Sequence, residues 1–299
     1  MTLPRRILKG TTYILTRRCF QRKFFLRPSK LNNQIFLYCI ACAAEKSGVL
    51  IHAYCVMSNH HHIVLTDPDG SLPEFTNYLH RLTALCINTS MKRWEIFWSR
   101  EQCSQVSLED DEDVLDKIVY TICNPVSAFL VDKSKKWPGL CSMPEDVLKG
   151  ELVIKRPNVY FAEKGKMPDE VTLKLTRPEI YTDLDDAELV ELIRRRVNEK
   201  EMDKSAEARE KQIRFLGPHR VMRQKPFHSP RTIAPHRNLK PQVAAKNKWR
   251  RIEALKRLKN WIAAYREAWK LWKQGKKDVL FPPGTYGLVQ NAGVRCAET

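Results

Sequence analysis

The sequence predicts an α+β fold with an antiparallel sheet in the first 145 residues. Short apolar or alternating runs, which are typical of strands, are interspersed there with longer segments whose apolar residues recur every three or four positions, as in amphipathic helices. The order of these segments is strand, helix, two strands, helix, strand, and then a further helix. About 130 residues in such an arrangement are enough for an independent hydrophobic core.

Each element is predicted from its local pattern. The predicted strands cover residues 11–16, 49–56 and 60–66, with a bent strand formed by residues 96–98 and 105–108. The predicted helices cover about residues 31–44, 72–94 and 113–126. This order is a ferredoxin-like plan, in which an antiparallel sheet is able to present one face to a ligand.

The pattern weakens after residue 145. Residues 183–204 are predicted to form a charged helix, and residues 215–242, with five prolines and many basic residues, a linker that is extended or disordered. Residues 246–273 are typical of a basic amphipathic helix, which suits DNA, a membrane surface or a groove on a partner protein. We therefore expect three parts: a domain at 1–145, a mixed charged helical extension at 146–210, and a basic tail at 211–299.

The charge of the chain is concentrated at its two ends. A formal net charge of +18 and a pI of about 9.6 indicate a polyanionic partner. Residues 1–30 contain nine Lys and Arg and no acidic residue, residues 31–210 are net acidic by eight, and residues 211–280 contain twenty basic and three acidic residues. Single-stranded nucleic acid is the partner that this distribution favours, because basic and aromatic residues alternate after the first strand. The candidate contacts are Arg17, Arg18, Arg22, Lys23 and Arg27. Phe20, Phe24 and Phe25 lie between them, with rings available for base stacking, although Phe24 and Phe25 are individually better explained as core residues.

Alternate histidines begin the strand predicted at residues 60–66. His60 and His62 share one face of this strand and His61 faces the other way, because successive side chains of a strand alternate. Two imidazoles separated by about 6.5 to 7 Å along a strand can converge on one metal ion. A solvated pair, or half of a buried hydrogen-bond network, gives the same pattern.

Tyr120 and Asn124 lie four residues apart in the last predicted helix, so they are neighbours on its surface. A phenol is a weak nucleophile until a cation favours its oxyanion or polarises the phosphate that it attacks, and an amide oxygen beside it is able to complete a His-His-Asn metal site. Two structural interpretations remain: Tyr120 as an ordinary residue at the core boundary, and Asn124 before Pro125 as the cap of a restarting helix.

The two motifs together resemble a known family. Met57-x-Asn59-His60-x-His62 before an apolar run is similar to the histidine element of single-tyrosine HUH transposases, and Tyr120-x-x-x-Asn124-Pro125-Val126 is similar to the tyrosine helix of their REP-associated tyrosine transposase branch. The likeness covers roughly residues 8 to 140. Two departures are His61, where the family has an apolar residue, and residues 127–129, where it commonly has an Arg and a Gly.

The resemblance implies cleavage and strand transfer of single-stranded DNA at hairpin-forming repeats, through a 5′-phosphotyrosine intermediate. Tyr120 is then the nucleophile, and His60, His62 and Asn124 hold a divalent cation, for which imidazole and oxygen ligands favour Mg²⁺ or Mn²⁺. Two consequences are open for His61: either the metal is held by a different set of the three histidines, or His61 packs against a polar neighbour on the other face of the strand. The alternative is a DNA-binding protein that keeps the scaffold without the chemistry.

Other site classes are not indicated. The nine cysteines contain one CxxC, Cys39 and Cys42, inside a predicted helix and without a second pair, so helix packing is favoured over a zinc or redox site. There is no glycine-rich phosphate loop, signal peptide or apolar run of 18 residues, and we expect a cytoplasmic protein that does not contact membranes.

Overall fold

A computed structural model describes residues 4–162, 165–232 and 241–298 of the chain. Its strands are β1 (Thr11–Arg18), β2 (Leu50–Met57), β3 (His60–Asp67), β4 (Ser104–Leu108), β5 (Glu151–Lys155), β6 (Glu170–Lys174), β7 (Val243–Ala244), β8 (Leu280–Phe281) and β9 (Arg295–Cys296). Its helices are α1 (Lys30–Ser47), α2 (Leu72–Ser90), α3 (Asp111–Ile122), α4 (Asn124–Ser127), α5 (Asp186–Glu210), α6 (Pro218–Met222), α7 (Lys248–Lys273) and α8 (Gly287–Ala292).

The main sheet confirms the predicted α+β class. Its strand order is β2-β3-β1-β4-β7, and the first four strands pair antiparallel in the order of a ferredoxin-like plan. Strand β7 adds to the outer edge of β4 and runs parallel to it. Helices α1 and α2 pack together on one face of the sheet, whereas α3 and α5 pack on the other.

The β1–β3 register decides which side chains lie on each face. His62 is opposite Thr16 and His60 is opposite Arg18, while His61 is opposite Arg17. Residues facing each other across an antiparallel pair point to the same side. The first two pairs therefore lie on the α3 face, and the His61 pair lies on the face covered by α1 and α2.

Three predicted boundaries are wrong. Residues 96–98 do not extend β4, and only Trp98 forms an isolated bridge, with Cys19. Helix α2 ends at Ser90 rather than near residue 94, because Lys92 adopts a φ of 53° and the Asn88 side chain bonds to the carbonyl of Glu95. The predicted tyrosine helix is divided into α3 and α4, so a helix does restart at Asn124.

Elements after residue 145 pack on the first part of the chain. The predicted charged helix is α5, whose Leu189, Ile193 and Val197 are buried against α3. The predicted basic helix is α7. Basic residues in its first half and just before it form ion pairs with acidic residues in and before α3: Lys246 with Glu112 and Asp116, Arg250 with Asp110, and Arg257 with Glu109. The three-part division of the chain stays a prediction.

The predicted linker is partly ordered within the described residues. Helix α6 lies in it, and the backbone of residues 216–217 bonds to Phe129 and Leu130 after α4. Residues 233–240 of this linker, which include Pro235, lie outside the described residues. In the described ranges, no helix is both long enough and apolar enough to span a bilayer.

Candidate metal and tyrosine site

Four side chains predicted from the sequence meet on the α3 face of the sheet. The ring centroids of His60 and His62 are 4.9 Å apart, with the rings nearly perpendicular. The ring of Tyr120, from the last turn of α3, lies 5.2 Å from that of His62. The Asn124 side chain, at the start of α4, lies close enough to both His60 and Tyr120 to shift the pKa of each. The four residues thus form one continuous cluster across β3, α3 and α4.

Both histidines on this face are held neutral. Burial, followed by the positive charge of Arg18, lowers the pKa of His60 to about 4, although its hydrogen bond with Asn124 acts in the opposite direction. Burial and the neighbouring His60 and His61 hold the pKa of His62 well below its usual range. At neutral pH both rings therefore carry a nitrogen lone pair, which a metal ligand requires.

Hydrogen bonds orient the two rings. Nδ1 of His62 is 2.7 Å from Thr16 Oγ1, and Nδ1 of His60 is 2.7 Å from Asn59 Oδ1. The buried Nε2 of His62 has no hydrogen-bond partner among the described residues. A buried imidazole nitrogen without a partner is costly unless something else binds it, so the donor set fits a divalent cation. The part of the chain that the structure describes contains no group of three His, Cys, Asp or Glu side chains able to hold a metal.

Tyr120 combines a supported ring with an accessible hydroxyl. The residue is 41% exposed, and the Lys117 ammonium group lies 5.7 Å from the ring centroid. Burial of the ring raises the pKa of Tyr120, while the hydrogen bond with Asn124 lowers it. Despite the restart at Asn124, the backbone bonds from Cys123 to Val119 and from Ser127 to Cys123 keep the helical path. The i,i+4 contact between Tyr120 and Asn124 therefore survives the break.

His61 has a different role on the opposite face of β3. It is fully buried, and its Nε2 lies 2.9 Å from Nε2 of His80 on α2, whose Nδ1 is 3.0 Å from the Arg17 guanidinium. Trp98 packs against both imidazoles. Of the two alternatives for His61, the structure shows the polar neighbour, which is His80.

A cleft of about 2320 Å³ opens in front of the tyrosine and the two outward histidines. Its walls come from β1, β3, β4 and α3 and from residues within 224–232 and 241–258. Six arginines line it: Arg5, Arg6, Arg18, Arg22, Arg100 and Arg257. Arg5, Arg6, Arg100 and Arg257 lie outside the predicted contact set, because no local sequence pattern indicates that their segments share one wall.

The five basic residues predicted to bind DNA are placed differently from one another. Arg18 is exposed on the cleft wall, and Arg22 lines the same cleft while bonding to Thr232. Lys23 donates to the Phe227 carbonyl at 2.7 Å, and Arg27 donates to the Met222 carbonyl at 2.8 Å. Arg17 lies behind the sheet, so its position does not support the predicted DNA contact.

Sequence reasoning missed Thr16 as the partner of His62. Its only signal is its place at the end of the first predicted strand, and its partner depends on a register that the sequence leaves open. Ser58 is another residue that was missed, and its hydroxyl donates to the Gln224 side chain at 2.6 Å on the cleft wall.

Comparison with known proteins gives a partial match. Residues 11–119 match the family described as IS200-like transposases, and the match ends one residue before Tyr120. A solved structure of a REP-associated tyrosine transposase bound to a REP hairpin aligns with a TM-score of 0.42 and 16% identity, covering 60% of this chain and 99% of that chain. No curated protein sequence matches the chain. The predicted resemblance to this family is confirmed over residues 11–119, which include the histidine motif but not Tyr120 and Asn124.

Proposed function

We propose, from the likeness of residues 11–119 to IS200-like transposases, that this chain is a metal-dependent enzyme that cleaves and rejoins single-stranded DNA. The observation that carries the proposal is the convergence of His60, His62, Tyr120 and Asn124 on one face of the sheet. Tyr120 and Asn124 lie outside the family match, so their position beside the two imidazoles is independent support for it.

Tyr120 would act as the nucleophile. Its hydroxyl oxygen forms a bond to the phosphorus of a DNA phosphate, the bond to the 3′-oxygen breaks, and that oxygen takes up a proton while the tyrosine loses one. The products are a 5′-phosphotyrosine and a free 3′-hydroxyl. Another 3′-hydroxyl then attacks the phosphorus of this phosphotyrosine, the bond to the tyrosine oxygen breaks, and strand transfer is complete. The exposed edge of Tyr120 in the cleft gives a phosphate access to its oxygen.

His60, His62 and Asn124 would hold Mg²⁺ or Mn²⁺. When bound, such an ion polarises the phosphate and offsets its charge. The neutral imidazoles, the free Nε2 of His62 and the oxygen of Asn124 suit this role. Thr16 fixes the ring of His62 through Nδ1, as is common for metal-bound histidines.

Arg18 and Arg22 are the basic residues whose positions best suit DNA. Both line the cleft, and the charge of Arg18 already acts on His60. We therefore assign phosphate contacts beside the reacting group to these two residues. Hairpin-forming repeats are the proposed substrate, and the cytoplasm is the proposed location.

The test uses labelled single-stranded hairpins with Mg²⁺ or Mn²⁺ and denaturing gels that retain covalent adducts. Tyr120→Phe should abolish cleavage and the adduct while binding remains, because only the nucleophilic oxygen is removed. Tyr160→Phe is the matched control, since Tyr160 is 47% exposed and lies away from the cluster. A covalent adduct formed by the Tyr120→Phe variant would contradict the assignment. Binding by the unmodified chain without any cleavage would favour the alternative of a non-catalytic DNA-binding protein.

A further inference from the structure

We propose that Cys55 and Cys141 form a reversible disulfide that links β2 to the chain after α4. This modification site does not depend on the proposed DNA chemistry. Neither residue belongs to a predicted motif, and they are 86 positions apart in the sequence.

The backbone brings the two residues into direct opposition. Cys55 and Cys141 form an isolated antiparallel bridge. The amide of Val56 donates to the Leu140 carbonyl at 2.8 Å, and the amide of Ser142 donates to the Tyr54 carbonyl at 2.9 Å. These bonds flank the cysteines, which makes them a non-hydrogen-bonded pair, with Cα atoms typically about 4.5 Å apart. Disulfides span Cα separations of about 4.4–6.8 Å, so no backbone movement is required.

The side chains point into the same apolar cluster. Both cysteines pack there with Met57 and Val126, and Cys55 Sγ lies 3.9 Å from the sulfur of Met57. A hydrogen bond with the Cys55 thiol, together with burial, holds the pKa of Cys141 well above its usual range. The two thiol side chains therefore extend from directly opposed backbone positions into one cluster.

The loop that carries Cys141 is fixed before any oxidation. The Ser142 hydroxyl bonds to the backbone of Tyr54, and the indole nitrogen of Trp137 donates to the Val56 carbonyl at 3.1 Å. The disulfide would thus form within an ordered contact, which lowers the entropy that bond formation has to overcome. Its formation would also restrain the residues that support Asn124, since Val126 of α4 lies in the same cluster.

The difference in exposure between the two cysteines decides which one hydrogen peroxide, the oxidant, reacts with first. Cys141 is partly exposed and Cys55 is fully buried, so peroxide reaches Cys141 first. The Cys141 thiol reacts with peroxide to give a sulfenic acid and water. The Cys55 thiol then attacks the sulfenyl sulfur, a second water leaves, and the S–S bond forms. Each sulfur is oxidised by one electron, and both peroxide oxygens are reduced to water.

Peptide mapping tests the bond on the full chain. Trypsin releases Cys55 in residues 47–81 and Cys141 in residues 137–149, each with a single cysteine. After peroxide treatment and alkylation, we expect a cross-linked peptide with the mass of both peptides less two hydrogens, which dithiothreitol removes. The thermal midpoint of the oxidised chain should rise by several degrees, because the bond closes a long loop. Cys141→Ser should lose both the peptide and the shift, whereas Cys296→Ser, at another partly exposed cysteine, should keep both.

A second thiol pair distinguishes oxidation of the folded chain from oxidation of an unfolded one. Cys39 and Cys86 belong to the same core cluster, but both residues are fully buried, so they should remain alkylatable thiols. Equal cross-linking of both pairs would show that the unfolded chain is being oxidised and would overturn the proposal. Over-oxidation of Cys141 to a sulfinic acid without any cross-linked peptide would also overturn it.

Discussion

Acidification should destabilise this fold steeply, because four histidines are buried in neutral form. His52, His61, His62 and His80 are each at most 5% exposed. Burial lowers the pKa of His52 to about 4 and of His61 to about 3, and holds those of His62 and His80 well below the usual range. An unfolded histidine titrates near 6.5. Between about pH 6.5 and 4 the unfolded chain therefore binds protons that the folded chain does not.

The sign and size follow from proton linkage. Where the unfolded state binds more protons, the free energy of unfolding falls as the pH falls. One histidine that stays neutral when folded loses about 1.4 kcal/mol of stability at pH 5.5, one unit below its unfolded pKa. Four such residues together lose about 6 kcal/mol, which is comparable with the total stability of about 5–15 kcal/mol for many proteins. Above pH 7 this contribution should be constant.

Urea unfolding followed by tryptophan fluorescence, at intervals from pH 8 to 5, measures this dependence. We expect a flat region above pH 7 and a steep fall below 6.5. His52→Gln should lower the slope of the unfolding free energy against pH by the contribution of one proton. His52 is chosen because it bonds to Thr176 and Thr66, away from the proposed metal site. His219→Gln, at an exposed position, should leave the slope unchanged. An unfolding free energy equal at pH 7.5 and 5.5 would refute the argument, since it would mean that these rings are charged in the folded chain.

Two further predictions concern β1. Thr16→Val should weaken metal-stimulated cleavage by about 10–100-fold, because it removes the hydroxyl that bonds to the His62 ring. Thr16→Ser keeps this hydroxyl and should keep the activity. A Mn²⁺ titration of the cleavage rate measures the difference. Arg18→Leu should reduce the slope of log DNA affinity against log salt concentration by about 1, because one phosphate contact is lost. Arg17→Leu, behind the sheet, should leave that slope unchanged. It should instead lower the free energy of unfolding by about 1–3 kcal/mol, because Nδ1 of His80 loses its hydrogen-bond partner. Equal salt slopes for the two Arg variants would remove Arg18 from the DNA interface.

The sequence was sufficient to predict the elements whose signals are local. Alternation along β3 placed His60 and His62 on one face and His61 on the other, and helical spacing placed Tyr120 beside Asn124. These patterns are decided by strand and helix geometry alone, so they survive folding unchanged. That His60 and His62 lie close to Tyr120 and Asn124 was expected from the family resemblance alone, because no periodicity specifies how β3 and α3 pack.

Features that depend on long-range pairing were not predictable. His61 finds His80 nineteen residues away, and Arg22, Lys23 and Arg27 bond to a segment about two hundred residues later. Such contacts depend on tertiary packing, which overrides composition. A basic cluster therefore indicated a polyanion, although four of its five members, Arg17, Arg22, Lys23 and Arg27, are bonded within the chain.

The parallel pairing of β7 with β4 has a consequence for synthesis on the ribosome. Ser107 of β4 receives its partner, Val243, only after more than a hundred further residues have been added. At about 5–20 residues per second, the outer edge of β4 stays open for roughly ten seconds in every nascent chain. An open strand edge is a template for incorrect pairing. Chaperone demand during translation should therefore be highest between the emergence of these two strands, and a chain that stops before β7 would keep that edge permanently.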